Sequence, residues 1–168
     1  MDHLWAPWRG AYVTGTLPPD PDSTCVFCRA PGESPDTSLV VHRGTHSYVI
    51  LNRYPYNAGH VMVAPYRHIP SLGDLSPDEL REVAELTQRA EAVLTAVYRP
   101  HGINVGINLG LSAGAGLRDH LHVHLVPRWN GDTNFISVVG NTRVLPEDLQ
   151  QSTARLRPVF ADLVKKQS

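Results

Sequence analysis

Three histidines alternate with apolar residues in His120-Leu121-His122-Val123-His124-Leu125-Val126. In an extended chain, residues i, i+2 and i+4 project from one face, about 6.6 Å apart per pair. The pattern therefore predicts a strand over 120–126 with three imidazoles in a row and Leu121, Val123 and Leu125 turned to a core. Buried and unpaired, three adjacent titratable rings would cost stability, so the row calls for a chemical role. Two kinds of chemistry compete for it. Alternating histidines can bind a metal. For phosphorus chemistry, an imidazole that donates one ring N–H to a carbonyl can attack with the other nitrogen, and a neighbouring imidazole can hand a proton to the leaving oxygen.

Other residues suit the same chemistry. Charge on the non-bridging oxygens of a phosphoryl transition state needs preorganised donors. The loop Gly110–Gly116, including Gly114 and Gly116, offers closely approachable backbone N–H groups, and Asn108 offers a side-chain amide. Neither a G-x-x-x-x-G-K-[ST] loop nor a dinucleotide fingerprint is present. Cys25 and Cys28 form a C-x-x-C in a chain that reads as cytosolic. Metal ligation or redox chemistry is expected of them rather than a structural disulfide. The histidines outside these motifs, His3, His42, His46 and His101, are expected on the surface or in loops.

The elements that must position these groups follow from periodicity. Residues 15–37 are rich in proline, glycine and acidic side chains and read as irregular structure around the cysteine pair. Short strands are expected over 39–42, 47–52 and 60–64, each bounded by turn chemistry. Ser76, Pro77 and Glu79 form a capping box that opens a long helix, with Leu80, Val83, Ala84, Thr87, Ala90, Leu94 and Val97 on its apolar face and Pro100 as its stop. Strands over 102–109 and 120–126 follow. A C-terminal helix over 146–166 turns Leu149, Leu156, Phe160 and Leu163 to one side. The order predicts an α+β fold on an antiparallel sheet of about five strands, in one domain spanning 1–168.

The chain has 168 residues, 42% of them hydrophobic, and a formal net charge of -1. That balance argues against a general nucleic-acid binder, which needs a basic face, but allows a small phosphorylated ligand met by a few aimed groups. Lysine occurs only at Lys165 and Lys166; the other cations are arginines. No segment reads as a signal peptide or membrane span, so a cytoplasmic protein is expected.

The triad pattern resembles the His-φ-His-φ-His-φ-φ signature (φ apolar) of the histidine triad, or HIT, superfamily of nucleotide hydrolases and transferases. The stretch Asn52 to His68, with its Gly59-His60 pair, is similar to that family's upstream block. Val126 to Phe135 resembles a bacterial branch related to diadenosine tetraphosphate phosphorylases. The similarity runs over roughly residues 2–160.

The resemblance implies a HIT fold and a nucleotidyl-histidine intermediate on His122, with His124 and His60 as supporting imidazoles. It implies that Asn52 meets the ribose hydroxyls, that Asn108 meets the phosphates and that Trp129 lies near the substrate. It further implies a structural zinc on Cys25, Cys28, His68 and His120, and a homodimer. Where other branches carry Gln or Ser four residues before the triad, this chain has Gly116, which offers only its N–H. The expected activity is cleavage of dinucleoside polyphosphates, most specifically phosphorolysis of diadenosine tetraphosphate to ATP and ADP. A hydrolase of dinucleoside polyphosphates or adenosine phosphoramidates is the alternative within the enzymes. A zinc-stabilised nucleotide-binding module without turnover is the alternative outside them.

Overall fold

Every strand neighbour among the described residues is antiparallel, and the sheet order sets the candidate residues side by side. A computed structural model describes residues 25–113, 120–132 and 147–165. Its elements, in chain order, are α1 (Val26–Arg29), β1 (Val40–Arg43), β2 (Ser47–Leu51), β3 (Val61–Pro65), α2 (Pro77–Tyr98), β4 (Gly102–Ile107), β5 (Val123–Arg128) and α3 (Leu149–Lys165), with 3-10 turns at Ala30–Gly32, Leu72–Asp74 and Leu111–Ala113. The strands run β1-β2-β3-β5-β4. This is the expected α+β architecture: a five-stranded antiparallel sheet, a long helix and a C-terminal helix. No described helix is long and apolar enough to cross a membrane.

The two faces of the sheet have different covers. Val49, Leu51, Val61, Val63, Val123 and Leu125 pack with Val83, Leu86, Val93 and Leu94 of α2 and with Leu156 and Phe160 of α3. On the other face Val40, Tyr48, Ile50, Met62 and Ala64 pack under Phe27 and Ala30. Met62 pairs with His124 across the ladder, which assigns the histidines to this second face. Among the described residues the cover there is small: α1 and the 3-10 turn after it, which stand at 26–32 where irregular structure was expected. The Cys25 carbonyl closes α1 by accepting from the N–H groups of Cys28 and Arg29. The Tyr48 hydroxyl ties it down by donating to the Phe27 carbonyl at 2.6 Å.

The ladder of β5 begins at Val123, not at His120. Its last pair with β3 is Val63 with Val123. Two residues on along β3 stands Pro65, which has no N–H to give a ladder. The segment 120–122 is instead held by the Leu121 N–H on the Ile69 carbonyl and by the His120 ring on the Pro65 carbonyl. The alternation survives, with Leu121, Val123 and Leu125 buried.

The apolar stripe of α2 is rotated from the expected one. Leu86 and Val93 are buried, whereas Leu80 is 49% exposed and Ala84 lies outside. The helix ends at Arg99 in the left-handed region, φ 47°, just before Pro100. Gly59, at φ 74°, sits against the Tyr98 ring; a Cβ there would meet the ring at 2.6 Å, so both conformation and space demand glycine.

Glu79 makes the start of α2 sensitive to acid. It accepts from the Ser76 N–H in the capping box and takes both Nε and Nη2 of Arg67 on its two oxygens. The Arg67 hydrogen bonds, then the Ser76 N–H, pull its carboxyl down to about 2. A carboxyl depressed on folding stabilises above its unfolded value, about 4.3. That contribution fades as pH falls from there toward 2. Glu79→Gln is expected to cost about 1 kcal/mol at neutral pH through the weakened cap and to flatten stability against pH between about 4.3 and 2. Chemical denaturation across that range checks it; an unchanged slope would refute it.

Candidate active site and metal centre

The proton positions along the histidine row follow from its partners. Nδ1 of His122 lies 2.8 Å from the His120 carbonyl, which can only accept. Nδ1 of His122 therefore carries the hydrogen, and the lone pair of the neutral ring is on Nε2. His122 is 7% exposed. A second chain of bonds starts on the connection between β2 and β3. The Tyr56 N–H donates to Nδ1 of His60 at 3.1 Å. Neutral His60 thus keeps its proton on Nε2 and gives it to Nδ1 of His124 at 3.0 Å. His124 in turn holds its own proton on Nε2. The rings of His122 and His124 meet edge-on, 4.7 Å between centroids. The row so combines a ring nitrogen bearing a lone pair with an adjacent N–H donor, a pair suited to breaking a phosphoanhydride.

At the other end of the row, Cys25, Cys28, His68 and His120 gather their donor atoms within 4.8 Å of one another. Nδ1 of His120 stands 3.3 Å from Cys25 Sγ and 3.6 Å from Cys28 Sγ, and Nδ1 of His68 stands 3.3 Å from Cys28 Sγ. Tetrahedral zinc, with its usual bond lengths, sets sulfur–nitrogen edges of about 3.6 Å. Nε2 of His120 donates to the Pro65 carbonyl at 2.9 Å, which turns the Nδ1 lone pair toward the sulfurs, as outer partners of metal-bound histidines do. Burial keeps the His120 imidazole below its ordinary value, hence neutral and fit to ligate. Burial, then the adjacent Cys25, pushes the Cys28 thiol up. The residues fit a cation, and this cluster could hold a metal ion.

Phe27, between the two cysteines, joins the halves. Its ring packs on His120 at 5.2 Å and on His122 at 4.7 Å. Sequence reasoning passed over it, although its place inside the C-x-x-C marked it. Tyr56 and Asn57 were passed over too; both lie in the block between Asn52 and His60.

The remaining expected residues divide by distance. Asn52 lies beside the row: its Oδ1 accepts from the Tyr54 N–H, and its Nδ2 is 3.4 Å from Nδ1 of His60. Asn108 follows β4 directly, and the pairing of Ile107 with Val123 carries it alongside His122. Trp129 is not brought to His122 within this chain. It follows β5 at its far end, about 23 Å of extended chain from His122. There it borders an open hollow of about 400 Å³ with His101, Asn104 and Arg128. Gly114 and Gly116 lie outside the described residues, as does His3. His46 and His101 are exposed, as expected. His42 departs from expectation: it is half-buried on β1 and stacks on Phe160 at 5.4 Å, because that strand faces α3.

A row of histidines on a five-stranded antiparallel sheet, with one long helix on the opposite face, defines a class. Residues 33–131 match the HIT domain family, and the chain belongs to it. Among its relatives is an AP-4-A phosphorylase of Mycobacterium tuberculosis, 47% identical over 161 residues, which covers 93% of this chain and 82% of the relative. An asymmetrical bis(5'-nucleosyl)-tetraphosphatase of Schizosaccharomyces pombe is 36% identical over 98 residues, 58% of this chain and 53% of its own. Among solved structures, a zinc-bound histidine triad family protein from Mycobacterium smegmatis superposes with a TM-score of 0.68 at 30% identity, covering 86% of this chain and 98% of that one.

Proposed function

We propose that the protein cleaves dinucleoside polyphosphates by nucleotidyl transfer to His122, with inorganic phosphate as second acceptor. The observation that carries the reading is the His122 Nδ1 bond to the His120 carbonyl, which makes Nε2 the nucleophile. In the first step Nε2 of His122 forms a bond to the α-phosphorus while the bridging P–O bond breaks. His124 donates its Nε2–H as a hydrogen bond to the departing nucleotide oxygen, which leaves with the electron pair of the broken bond as a phosphate anion. In the second step an unprotonated oxygen of hydrogenphosphate attacks the same phosphorus, the N–P bond breaks and its electron pair restores neutral His122, and the phosphate's proton stays on the terminal phosphate of the ADP formed. From diadenosine tetraphosphate the products are ATP, then ADP. The relative named AP-4-A phosphorylase supports this substrate class.

Asn52 contacts the ribose in this reading, and Asn108, with N–H groups of the loop containing Gly114 and Gly116, meets the phosphate oxygens. Trp129 reaches substrate from the far end of β5 only if the bound dinucleotide, or a second copy of the chain, spans that length. Cys25, Cys28, His68 and His120 hold zinc. Zinc there supplies cross-linking rather than reaction chemistry, because four protein ligands close its shell. Pairing of two chains through α2 and the β4 edge would cover Leu80 and Val105, which are 49% and 53% exposed. A cytoplasmic setting keeps the thiols reduced.

The test follows products of diadenosine tetraphosphate with and without phosphate. ATP and ADP in equal amounts, dependent on phosphate, are expected. AMP and ATP at an undiminished rate in plain buffer would replace phosphorolysis by hydrolysis. No consumption in either buffer would leave a binding module.

A further inference from the structure

His60 sets the proton on His124, yet it stands at the end of an irregular connection between β2 and β3. Asn57 organises that connection. Its carbonyl accepts from the His60 N–H at 3.2 Å. Its side chain, in a residue 6% exposed, donates to the Pro127 carbonyl and to Oδ2 of Asp132, both at 2.8 Å. Asp132 is anchored in turn. It accepts from Nε and Nη2 of Arg128 and from the Trp129 N–H, and Nη1 of Arg128 reaches Oδ1 of Asn104 on β4. The Arg128 hydrogen bonds hold the Asp132 carboxyl far below the usual range, so it stays an acceptor. Asp132 is thus fixed to the sheet, and Asn57 is fixed to Asp132.

We propose that Asn57 and Asp132 are positioning residues for the hydrogen-bond donor to the leaving group. Asp132 orients the Asn57 amide, and Asn57 fixes the backbone so that the Tyr56 N–H meets Nδ1 of His60. That contact keeps the His60 proton on Nε2 and, through it, the His124 proton on the nitrogen that serves the leaving group. If the Tyr56 contact is lost, the His60 proton can move to Nδ1. Nε2 of His60 then becomes an acceptor, His124 turns its N–H inward, and the departing oxygen loses its hydrogen-bond donor. The inference rests on the function proposed above. It assigns a role in hydrogen bonding to the leaving group, not in attack, and so predicts a dependence on leaving group that a purely stabilising network lacks.

Two AMP esters read this out: the phenyl ester, whose basic oxygen depends on a hydrogen-bond donor to depart, and the p-nitrophenyl ester, whose oxygen departs as a stable anion. Asn57→Ala and Asp132→Ala are expected to lose about a hundredfold in kcat on the phenyl ester and less than about threefold on the p-nitrophenyl ester. The double variant should be no worse than either single one, since both act through one contact. Activity on the p-nitrophenyl ester also reports that each variant is folded. Asp132→Asn, which keeps an acceptor oxygen for Asn57 with less disturbance of the turn, should retain phenyl-ester activity within about tenfold. Equal losses on both esters, or none on either, overturn the proposal. If the wild-type protein turns over neither ester nor a dinucleotide, or if turnover survives in His122→Ala, the proposed function itself is lost. The two failures are therefore distinct.

Discussion

His122→Ala is expected to lower kcat on diadenosine tetraphosphate by about four orders of magnitude or more, the scale on which removal of a covalent nucleophile acts. Binding should change little. Asn52 and Asn108 hold the substrate in the proposed arrangement, and the variant disturbs neither; the ring it deletes donates to the His120 carbonyl and packs on Phe27. The loss should therefore fall on kcat, not on KM. Rapid quenching of the wild-type protein with substrate labelled in the α-phosphate should trap label on protein in an acid-labile bond, and the variant should trap none. His124→Ala provides the contrast. It removes a hydrogen-bond donor but leaves the nucleophile, so label should still accumulate, more slowly. Label on the His122→Ala protein, or turnover near the wild-type rate, would falsify the mechanism.

The histidine row was legible because period-two alternation is a local property. Leu121, Val123 and Leu125 mark the strand face, and the histidines follow by parity. The same arithmetic failed at the strand's start, where the end of pairing depends on Pro65, 55 residues away in sequence from His120. Parity alone also left metal and catalysis in competition for one row. The partners of each ring divide the work: a sulfur pair and a carbonyl around His120, a carbonyl on Nδ1 of His122, a second imidazole on His124. Apart from the His120 carbonyl, those partners come from two segments distant in sequence, the C-x-x-C turn and β3 with the residue before it, which spacing cannot bring together. Resemblance to the HIT family supplied the combination, and the gathered donor atoms agree with it. On α2 the capping box was readable from Ser76, Pro77 and Glu79, but not the rotation of the helix. The buried stripe of Val83, Leu86, Ala90, Val93 and Leu94 is chosen by where the sheet lies. Asn57 and Asp132 lie inside the two stretches that resemble the family, but only the hydrogen bond between them reveals that they act together.

The metal cluster should control both stability and the nucleophile, because His120 belongs to each. Its ring faces the sulfurs through Nδ1, while its carbonyl orients His122. Phe27 lies between, carried by the turn that the cysteines flank. Opposite it, β3 ends at Pro65, whose carbonyl holds the other side of the His120 ring. With zinc bound, α1, the segment after β3 and the approach to β5 are tied at one point. Cys25→Ser is expected to abolish stoichiometric zinc and to cost about 3 kcal/mol or more, lowering Tm by roughly 6–12 °C for a chain of this size. The kcat should fall more than KM rises, since a loosened His120 carbonyl no longer keeps the proton of His122 on Nδ1. Metal analysis, thermal melting and steady-state kinetics on the same preparation test each part, with zinc added back after chelation of the wild-type protein as the control for reversibility. Zinc-free wild-type protein with an unchanged Tm would show that Cys25, Cys28, His68 and His120 cohere through hydrogen bonds alone, and the coupling to His122 would then fall with the metal.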